Sequence, residues 1–580
     1  DLELSLGDQV VLTAVDGAVT NSTRLRLKKG AHVMTARYSS PKNGPAVLRV
    51  YWQSRDFARE PIPAGALAHD QTETLARFAR LRRGRELVQE HRCAACHEHA
   101  VAGRGGPALF GVGSRLRVGW MARWIENPKQ LRAMARMPKL LHGAVAPKAA
   151  RDIAAYLGTL GEIPAAPSAQ EADEQQRKDG AEIFVDYGCL ACHTLTASSQ
   201  STGTGRIPLS HVAAKWHPGA LVEFLANPAR HFPDTRMPDY GFTDEEARSV
   251  AAFLLSVDAR PLPLPVDAGD PVAGERLVRR LGCAACHGLA VPGEVKAPRR
   301  PVSRAGSVAC KFADYGLSGE DLECLREFLT SSRASSFTAV EYAERSLRSQ
   351  RCVACHDYDS QAALLSRVQE EAASLVEPDP DAPAYAGALP SLTHAGSKLQ
   401  TTWLVRWLRE GAEPRPRPWL TMPMPRFRLD AERIARGLAF AHGFAETGGP
   451  ATVHDGMLVD GSNAPTLDHG RNPADPDTLL AAGGKLLPQD GGFGCTNCHA
   501  VGDAPAASVF EAPGIDLALT TRRLRKEYFH RWLLDPTRVD PATKMTRFIG
   551  ADGLSGLTTV LGGRGWEQVE AIWQHLAARR

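Results

Sequence analysis

The sequence feature that most constrains this chain is the motif Cys-x-x-Cys-His, which occurs five times. Two thiols with this spacing lie one helical turn apart and can form thioethers with the two vinyl groups on one haem edge. The histidine that follows them supplies an axial nitrogen to the iron. A redox or zinc Cys-x-x-Cys needs no such histidine, so five copies predict five covalently bound haem c groups. The predicted thioether cysteines are Cys93, Cys96, Cys189, Cys192, Cys283, Cys286, Cys352, Cys355, Cys495 and Cys498, and the predicted proximal ligands are His97, His193, His287, His356 and His499.

Ten of the twelve cysteines belong to these motifs, and Cys310 and Cys324 do not. Covalent haem attachment implies export, so the predicted location is the periplasm or the cell surface. In an oxidising compartment the remaining pair is most simply a disulfide. The longest apolar runs, such as residues 250–257, are too short to span a bilayer, so the sequence predicts no transmembrane segment.

The formal net charge of +4 is weak evidence about partners, because each haem adds two propionates. The chain has no basic stretch interleaved with aromatic residues, so we expect no nucleic-acid partner.

Residues 1–68 differ from the rest of the chain, since short β-rich runs alternate there with turn signals. They predict a small antiparallel β domain. The segment resembles the C-terminal half of the protective-antigen-type β-sandwich. That resemblance implies carbohydrate binding or, as we favour on fold analogy, a docking or stabilising role. The resemblance depends on residues 15–17, 27–32, 48–52 and 59–63.

From residue 72 the chain is repetitive and is predicted to be mainly helical. An amphipathic helix runs into each haem motif. In most of the repeats an aromatic helix, a Met loop and a closing helix follow. This order resembles tandem class I cytochrome c domains, in which the first and last helices cross and the Met loop covers the far haem face. The predicted units are 72–163, 170–258, 270–334 (shortened), 338–445 and 475–580.

The distal iron ligands are predicted from the position of methionines before the closing helix. Met137 and Met237 precede prolines and follow the proximal histidines by 40 and 44 residues. In unit four Met422 and Met424 both qualify, and alignment of the following residues with unit two favours Met424. Met545 is the candidate in unit five, and core packing is the alternative role for each methionine.

Unit three departs from this pattern because neither Met nor His lies between its motif and the next one. Its Asp-Tyr-Gly segment at 314–316 matches 239–241 and places Phe312 where unit two has Met237. Its haem is therefore expected to be five-coordinate, or to bind Lys311, Cys310, Tyr315 or a histidine of a neighbouring unit. A Cys310–Cys324 disulfide would join the shortened loop to the closing helix, at about 3 kcal/mol.

The chemistry that follows is single-electron transfer, because haem with both axial positions filled does not bind substrate. We expect a pentahaem relay between a redox donor and an acceptor outside the cytoplasmic membrane, either alone or within a larger respiratory complex. The alternatives are an enzyme that acts on peroxide, sulfur or nitrogen oxides at an open third haem, and a redox module that binds glycans or the cell surface.

Overall fold

The computed structural model confirms the predicted fold class, a small antiparallel β domain followed by helical domains. It describes residues 1–15, 18–40, 42, 48–54, 56–57, 59–95, 97–98, 105–161, 174–195, 205–257, 262, 265, 268–289, 300–301, 313–331, 337–377, 389–411, 415–444, 476–509 and 512–579. In these residues no helix has the length and apolar character needed to cross a membrane. The disulfide prediction cannot be located, because Cys310 lies outside the described residues.

The N-terminal sheet has four antiparallel strands, in the order β3-β2-β1-β4. Leu4 lies opposite Leu12 on one side and Ala36 on the other. The buried side chains of the sheet are Leu4, Val11 and Ala14, so its core is small. Its strands are β1 (Leu2–Leu6), β2 (Gln9–Val15), β3 (Ala18–Ser22) and β4 (Met34–Tyr38).

A second hairpin, β5 (Tyr51–Trp52) and β6 (Glu60–Pro61), packs on the last helical unit rather than on the sheet. Glu60 is 3% exposed and accepts a 2.9 Å hydrogen bond from Nε of Arg538. Arg49 donates two hydrogen bonds, of 2.8 and 2.9 Å, to the carboxylate of Glu527. These ion pairs attach residues 48–61 to unit five.

The helices that build the units begin at sequence signals that satisfy their first backbone N–H groups. Thr243 and Thr338 each form a capping box with the glutamate three residues later. Thr72, Asp270 and Ser318 also accept backbone hydrogen bonds at helix starts. The longer helices are α1 (Glu73–Glu90), α2 (Val118–Glu126), α3 (Ala146–Gly158), α4 (Glu174–Asp186), α5 (Pro218–Ala226), α6 (Asp244–Ser256), α7 (Pro271–Leu281), α8 (Gly319–Thr330), α9 (Ala339–Ser349), α10 (Thr401–Glu410), α11 (Ala431–Ala441), α12 (Pro476–Leu486), α13 (Lys526–Leu534) and α14 (Gly565–Ala578).

Short elements connect these helices and carry the motifs. The four- and five-residue helices are Val112–Arg115, Pro128–Leu131, Val212–Lys215, Cys352–Cys355, Gln369–Ala373, Ala395–Lys398, Cys495–Cys498, Thr520–Arg523 and Pro536–Val539. Two-residue strands begin at the histidines of the first two motifs, as β7 (His97–Glu98) and β8 (His193–Thr194). They pair with β10 (Arg300–Pro301) and β9 (Ile207–Pro208) respectively.

The opening and closing helices of units two, four and five cross within each unit, as α4 with α6, α9 with α11 and α12 with α14. Each crossing has a glycine at the point of closest approach. A Cβ on Gly180 would overlap the carbonyl oxygen of Ser249, and one on Gly483 would overlap that of Ala571. The glycine therefore lets the two backbones approach closely.

Units one and three pair crosswise instead. Helix α1 crosses the closing helix α8 of unit three, and α7 crosses the closing helix α3 of unit one. The same glycine signature marks both crossings, because a Cβ on Gly84 would overlap the carbonyl oxygen of Cys324 and one on Gly274 that of Asp152. The two segments thus exchange halves.

We call an opening helix with its motif a haem half, and the segment from the next strand or loop through the closing helix a distal half. Haem half one is residues 73–95 and 97–98, and distal half one is 105–158, while haem half three is 271–289 and distal half three is 300–301 and 313–331. Each pocket takes the number of its haem half. Pocket three therefore contains distal half one, and pocket one contains distal half three.

Candidate functional site

The five motifs have one local geometry, which supports one shared role. Each begins a single helical turn, and the residue before its first cysteine has a positive φ of 56° to 71°. Glycine adopts this conformation without strain and serves at Gly188, Gly282 and Gly494. Arg92 and Arg351 adopt it without that advantage, so the same turn is kept at a local cost.

The proximal histidines are oriented by backbone carbonyls in four pockets. Nδ1 of each ring lies at hydrogen-bond distance from a carbonyl oxygen. These distances are 3.3 Å from His193 to Ile207, 2.9 Å from His287 to Pro107, 2.7 Å from His356 to Pro390 and 2.7 Å from His499 to Ile515. An Nδ1–H donor leaves Nε2 as the metal ligand, which is the usual outer-sphere arrangement of metal-bound histidine.

Burial keeps these four imidazoles in the neutral form that binds a metal. It lowers the pKa of His193 to about 4, with a further contribution from the nearby Arg132 guanidinium. Burial also lowers the pKa of His287, His356 and His499. Each ring therefore presents a lone pair at neutral pH.

The first motif shows the same arrangement through its strand. His97 lies opposite Arg300 in a parallel pair, as His193 lies opposite Ile207 in unit two. Cys96 lies outside the described residues, whereas Cys93 packs against the closing helix α8 through the core of Leu87, Leu325 and Phe328.

The predicted distal methionines lie beside an aromatic ring of the preceding helix. The indole N–H groups of three tryptophans point at the thioether sulfurs: Trp124 to Met137 at 3.1 Å, Trp407 to Met424 at 2.8 Å and Trp532 to Met545 at 2.8 Å. In unit two Phe224 occupies the tryptophan position, and Met237 packs against the same core cluster. The four methionines are therefore structurally equivalent.

This equivalence separates Met424 from Met422. Met424 has the tryptophan contact, although 17 residues separate the pair in unit four and 13 in units one and five. Met422 lies against Gly188, directly before the second motif. The sequence alignment thus selects the residue that occupies the common position.

The exchange of halves changes which motif packs against the half that contains Met137. Cys283 packs against the core that contains Trp120 and Leu141 of distal half one. Gly106 donates a 2.6 Å hydrogen bond to the carbonyl of Cys286, and Pro107 accepts from His287. Met137 therefore belongs to pocket three, whereas the order of the sequence pairs it with His97.

Two clusters of buried cations show where anionic groups would fit. Burial and the charges of Arg132 and Arg115 lower the pKa of Lys215 to about 7. Burial and the charges of Arg523 and Arg417 likewise lower the pKa of Lys398 to about 7. Among the described residues, the Asp540 carboxylate partly offsets this effect at Lys398, and no carboxylate offsets it at Lys215. Buried cations require anionic partners, which haem propionates would supply.

These cations have a sequence signal that the motif analysis missed. In each of four distal halves a basic residue at the end of a short helix follows a leucine by six residues. The pairs are Leu109 and Arg115, Leu209 and Lys215, Leu392 and Lys398, and Leu517 and Arg523. Each of these leucines follows the histidine's carbonyl partner by two residues.

Neighbouring pockets meet through two kinds of junction. In the first kind, Met loops form reciprocal backbone hydrogen bonds. Lys139 exchanges bonds of 2.9 and 3.0 Å with Asp314, which joins pockets three and one. Asp239 exchanges bonds of 2.9 and 2.7 Å with Arg426, which joins pockets two and four.

In the second kind, the segments after the short basic helices pair. One such junction joins pockets three and two, and the other joins pockets four and five. The bonds run from Arg117 N to Lys215 O (2.9 Å), His217 N to Arg115 O (3.0 Å), Gln400 N to Arg523 O (2.9 Å) and Arg525 N to Lys398 O (2.9 Å). Both cation clusters lie at these junctions, and the pockets follow one another in the order one, three, two, four, five.

A further contact lies away from the cysteines and methionines. Helix α1 packs on α9 of unit four through ion pairs, including Arg85 with Glu341 at 2.9 Å and Arg82 with Glu344 at 3.2 Å. The row of pockets is therefore curved, and units one and four touch through their opening helices.

Two segments match known family models. Residues 177–258 match the model described as cytochrome c, and residues 79–157 match the model described as cytochrome c oxidase, cbb3-type, subunit III. No curated protein and no solved structure matches the chain. Both models describe c-type cytochrome domains, which bind haem c covalently and serve in haem-based electron transfer.

Proposed function

We propose that this c-type cytochrome binds five haem c groups and relays single electrons between redox proteins outside the cytoplasm. When bound, haem c exchanges one electron at a time. The protein's own part is to hold five such groups in fixed orientation, to shield them from water and to place them in a row.

The observation that carries the proposal is the repeated anchoring of the proximal histidines. Four described rings, in pockets two to five, have Nδ1 within 2.7 to 3.3 Å of a backbone carbonyl at an equivalent position. Three of these pockets, numbered three, four and five, lie partly or wholly outside the matched segments. A repeated sequence motif alone does not require this anchoring, whereas iron ligation does.

The order of the pockets supports transfer along the chain. Each junction joins either two Met loops or the segments that follow two short basic helices, so neighbouring carriers are held at a fixed separation. Tethering makes each transfer intramolecular, with a high effective concentration of the next carrier. The two ends of the row are pockets one and five, which we propose meet the donor and the acceptor, or the rest of a respiratory complex.

Mass spectrometry of the mature protein tests the haem number. We expect five added haem masses, and four after replacement of any one motif, for example Cys352→Ala with Cys355→Ala. Cys324→Ser is the matched control, since that cysteine lies outside the motifs and should leave all five. A mature protein with fewer than five haems would contradict the proposal.

Optical redox titration tests the relay. We expect a single small-molecule electron donor to reduce every haem. In the fully reduced sample, the spectra of four haems should be purely low-spin. A haem that stays oxidised under a large excess of the donor, after all its neighbours are reduced, would contradict transfer to that haem along the row.

A further inference from the structure

We propose that Met137 is the distal ligand of the haem held by Cys283, Cys286 and His287, and that the first haem, at His97, is the one without a methionine ligand. This inference rests on the proposed five-haem relay. It moves the exceptional iron from the third pocket to the first, which lies at one end of the row.

The first argument is the contact between distal half one and haem half three. The pair is joined by hydrogen bonds from Gly106 N to Cys286 O, from Leu109 N to Gly288 O at 2.9 Å, and between His287 and Pro107. A Cβ on Gly106 would lie 2.7 Å from Nδ1 of His287. Gly514 in unit five has the same place relative to His499, so the contact is the standard one of a closed pocket.

The second argument is the equivalent contact in pocket one. The ring of His91 packs edge-on against Tyr315, with centroids 4.9 Å apart. In unit two Tyr187, which likewise lies two residues before the first cysteine, packs against Tyr240 at 5.7 Å. Tyr315 thus completes pocket one as Tyr240 completes pocket two.

The third argument is composition. The sequence has no methionine at 73–98 or at 300–331, the ranges from which the described residues of pocket one come. The other methionines of distal half one are engaged elsewhere, because Met121 is buried in the core of pocket three and Met134 lies against Gly205 of unit two. Pocket three, by contrast, has Met137 beside Trp124, as pockets four and five have their methionines beside a tryptophan.

Removal of single haems from the full-length protein tests the assignment. The readout is the weak red absorption band of ferric haem with a methionine ligand, measured per protein together with the haem count. Replacement of Cys93, Cys96 and His97 by alanine should leave the band unchanged. Replacement of Cys283, Cys286 and His287 by alanine should reduce it by a quarter.

If Met137 instead binds the haem at His97, as the order of the sequence suggests, the result is reversed. A quarter of the band is then lost with the first motif and none with the third, and this outcome would overturn the assignment. Replacement of Cys189, Cys192 and His193 is the control, since it removes a quarter in either case. Haem counts of five in the parent and four in each variant keep this test separate from the proposed relay, which fails if the parent count is lower.

Met137→Ala provides a second route if one deletion variant does not accumulate. It should remove a quarter of the band from the parent protein and from the variant that lacks the first haem, and nothing from the variant that lacks the third. A loss in the variant without the third haem would overturn the assignment.

Discussion

Units two, four and five close on themselves, whereas units one and three close on each other. The local chemistry of the two arrangements is the same. A glycine permits the helix crossing, a backbone carbonyl orients the histidine, and a tyrosine or histidine two residues before the motif can pack on an aromatic partner. Exchange of identical elements costs little when every contact is recreated in the partner. A repeat therefore specifies a pocket without specifying which copy completes it.

The largest effect should follow from a side chain at the helix crossings. Gly274→Val and Gly180→Val both place a Cβ against a backbone carbonyl, so we expect each to destabilise its pocket by at least about 3 kcal/mol in chemical denaturation. The red absorption band of methionine-ligated ferric haem, called here the methionine band, should weaken in both variants. Gly180→Val should remove the contribution of Met237, and Gly274→Val that of Met137.

Gly84→Val sharpens the comparison, because it is the corresponding change in pocket one. It should destabilise the protein by a similar free energy while the methionine band keeps its full amplitude. Loss of a quarter of the band in this variant would show that α1 closes on the half that contains Met137.

The sequence predicted the parts of each pocket better than their assembly. Alignment matched Tyr315 to Tyr240 and preferred Met424 to Met422, and both residues occupy the common positions. The partner of Tyr315 could not be predicted from the sequence. The residue two positions before the motif is Tyr187 in unit two, and His91 at this position in unit one makes the same aromatic contact. In unit three the position holds Leu281, which instead joins an apolar core. The choice between copies depends on linker paths and junctions, which leave no local pattern.

The pH dependence of unfolding should differ between a self-closed pocket and an exchanged one when a buried carboxylate in each is neutralised by mutation. Burial raises the pKa of Glu570, but hydrogen bonds from His530, Lys526 and Gln574 outweigh it and bring the pKa to about 2. A lowered pKa stabilises the fold above about pH 4.5, and this contribution is lost as the pH falls toward 2. We expect Glu570→Gln to cost about 2 to 3 kcal/mol at pH 7 and to flatten the pH dependence of unfolding below pH 4.5.

Asp152 is the matched group in the exchanged pair. It is 5% exposed, and hydrogen bonds from Lys148 and from the backbone N–H of Asp270 lower its pKa despite burial. Asp152→Asn should therefore loosen pocket three, whereas Glu570→Gln loosens pocket five. Equal loss of the Met137 and Met545 signals in both variants would contradict this separation.

A smaller effect is expected at the hairpin that attaches the N-terminal region to unit five. Glu60→Gln leaves Arg538 and Arg531 without their buried carboxylate, so we expect a loss of about 2 kcal/mol in unit five and none in the exchanged pair. Glu3→Gln is the control, since its pair with Arg37 is exposed and should contribute less than about 1 kcal/mol. An unchanged melting temperature for Glu60→Gln would show that the hairpin does not stabilise unit five.

The smallest effect is expected at the two cation clusters. The cluster of Lys215 lies between an exchanged pocket and a self-closed one, and the cluster of Lys398 lies between two self-closed pockets. Nζ of Lys215 lies 5.0 Å from the ring centre of Trp120, and Nζ of Lys398 lies 5.3 Å from that of Tyr528, each across its junction. Loss of a buried cation stabilises ferric over ferrous haem, so Lys215→Met should lower the potentials of the second and third haems by tens of millivolts. Lys398→Met should do so for the fourth and fifth haems. If Lys215→Met instead shifted the first haem and spared the third, the pocket completed by Trp120 would be pocket one, and the halves would not be exchanged.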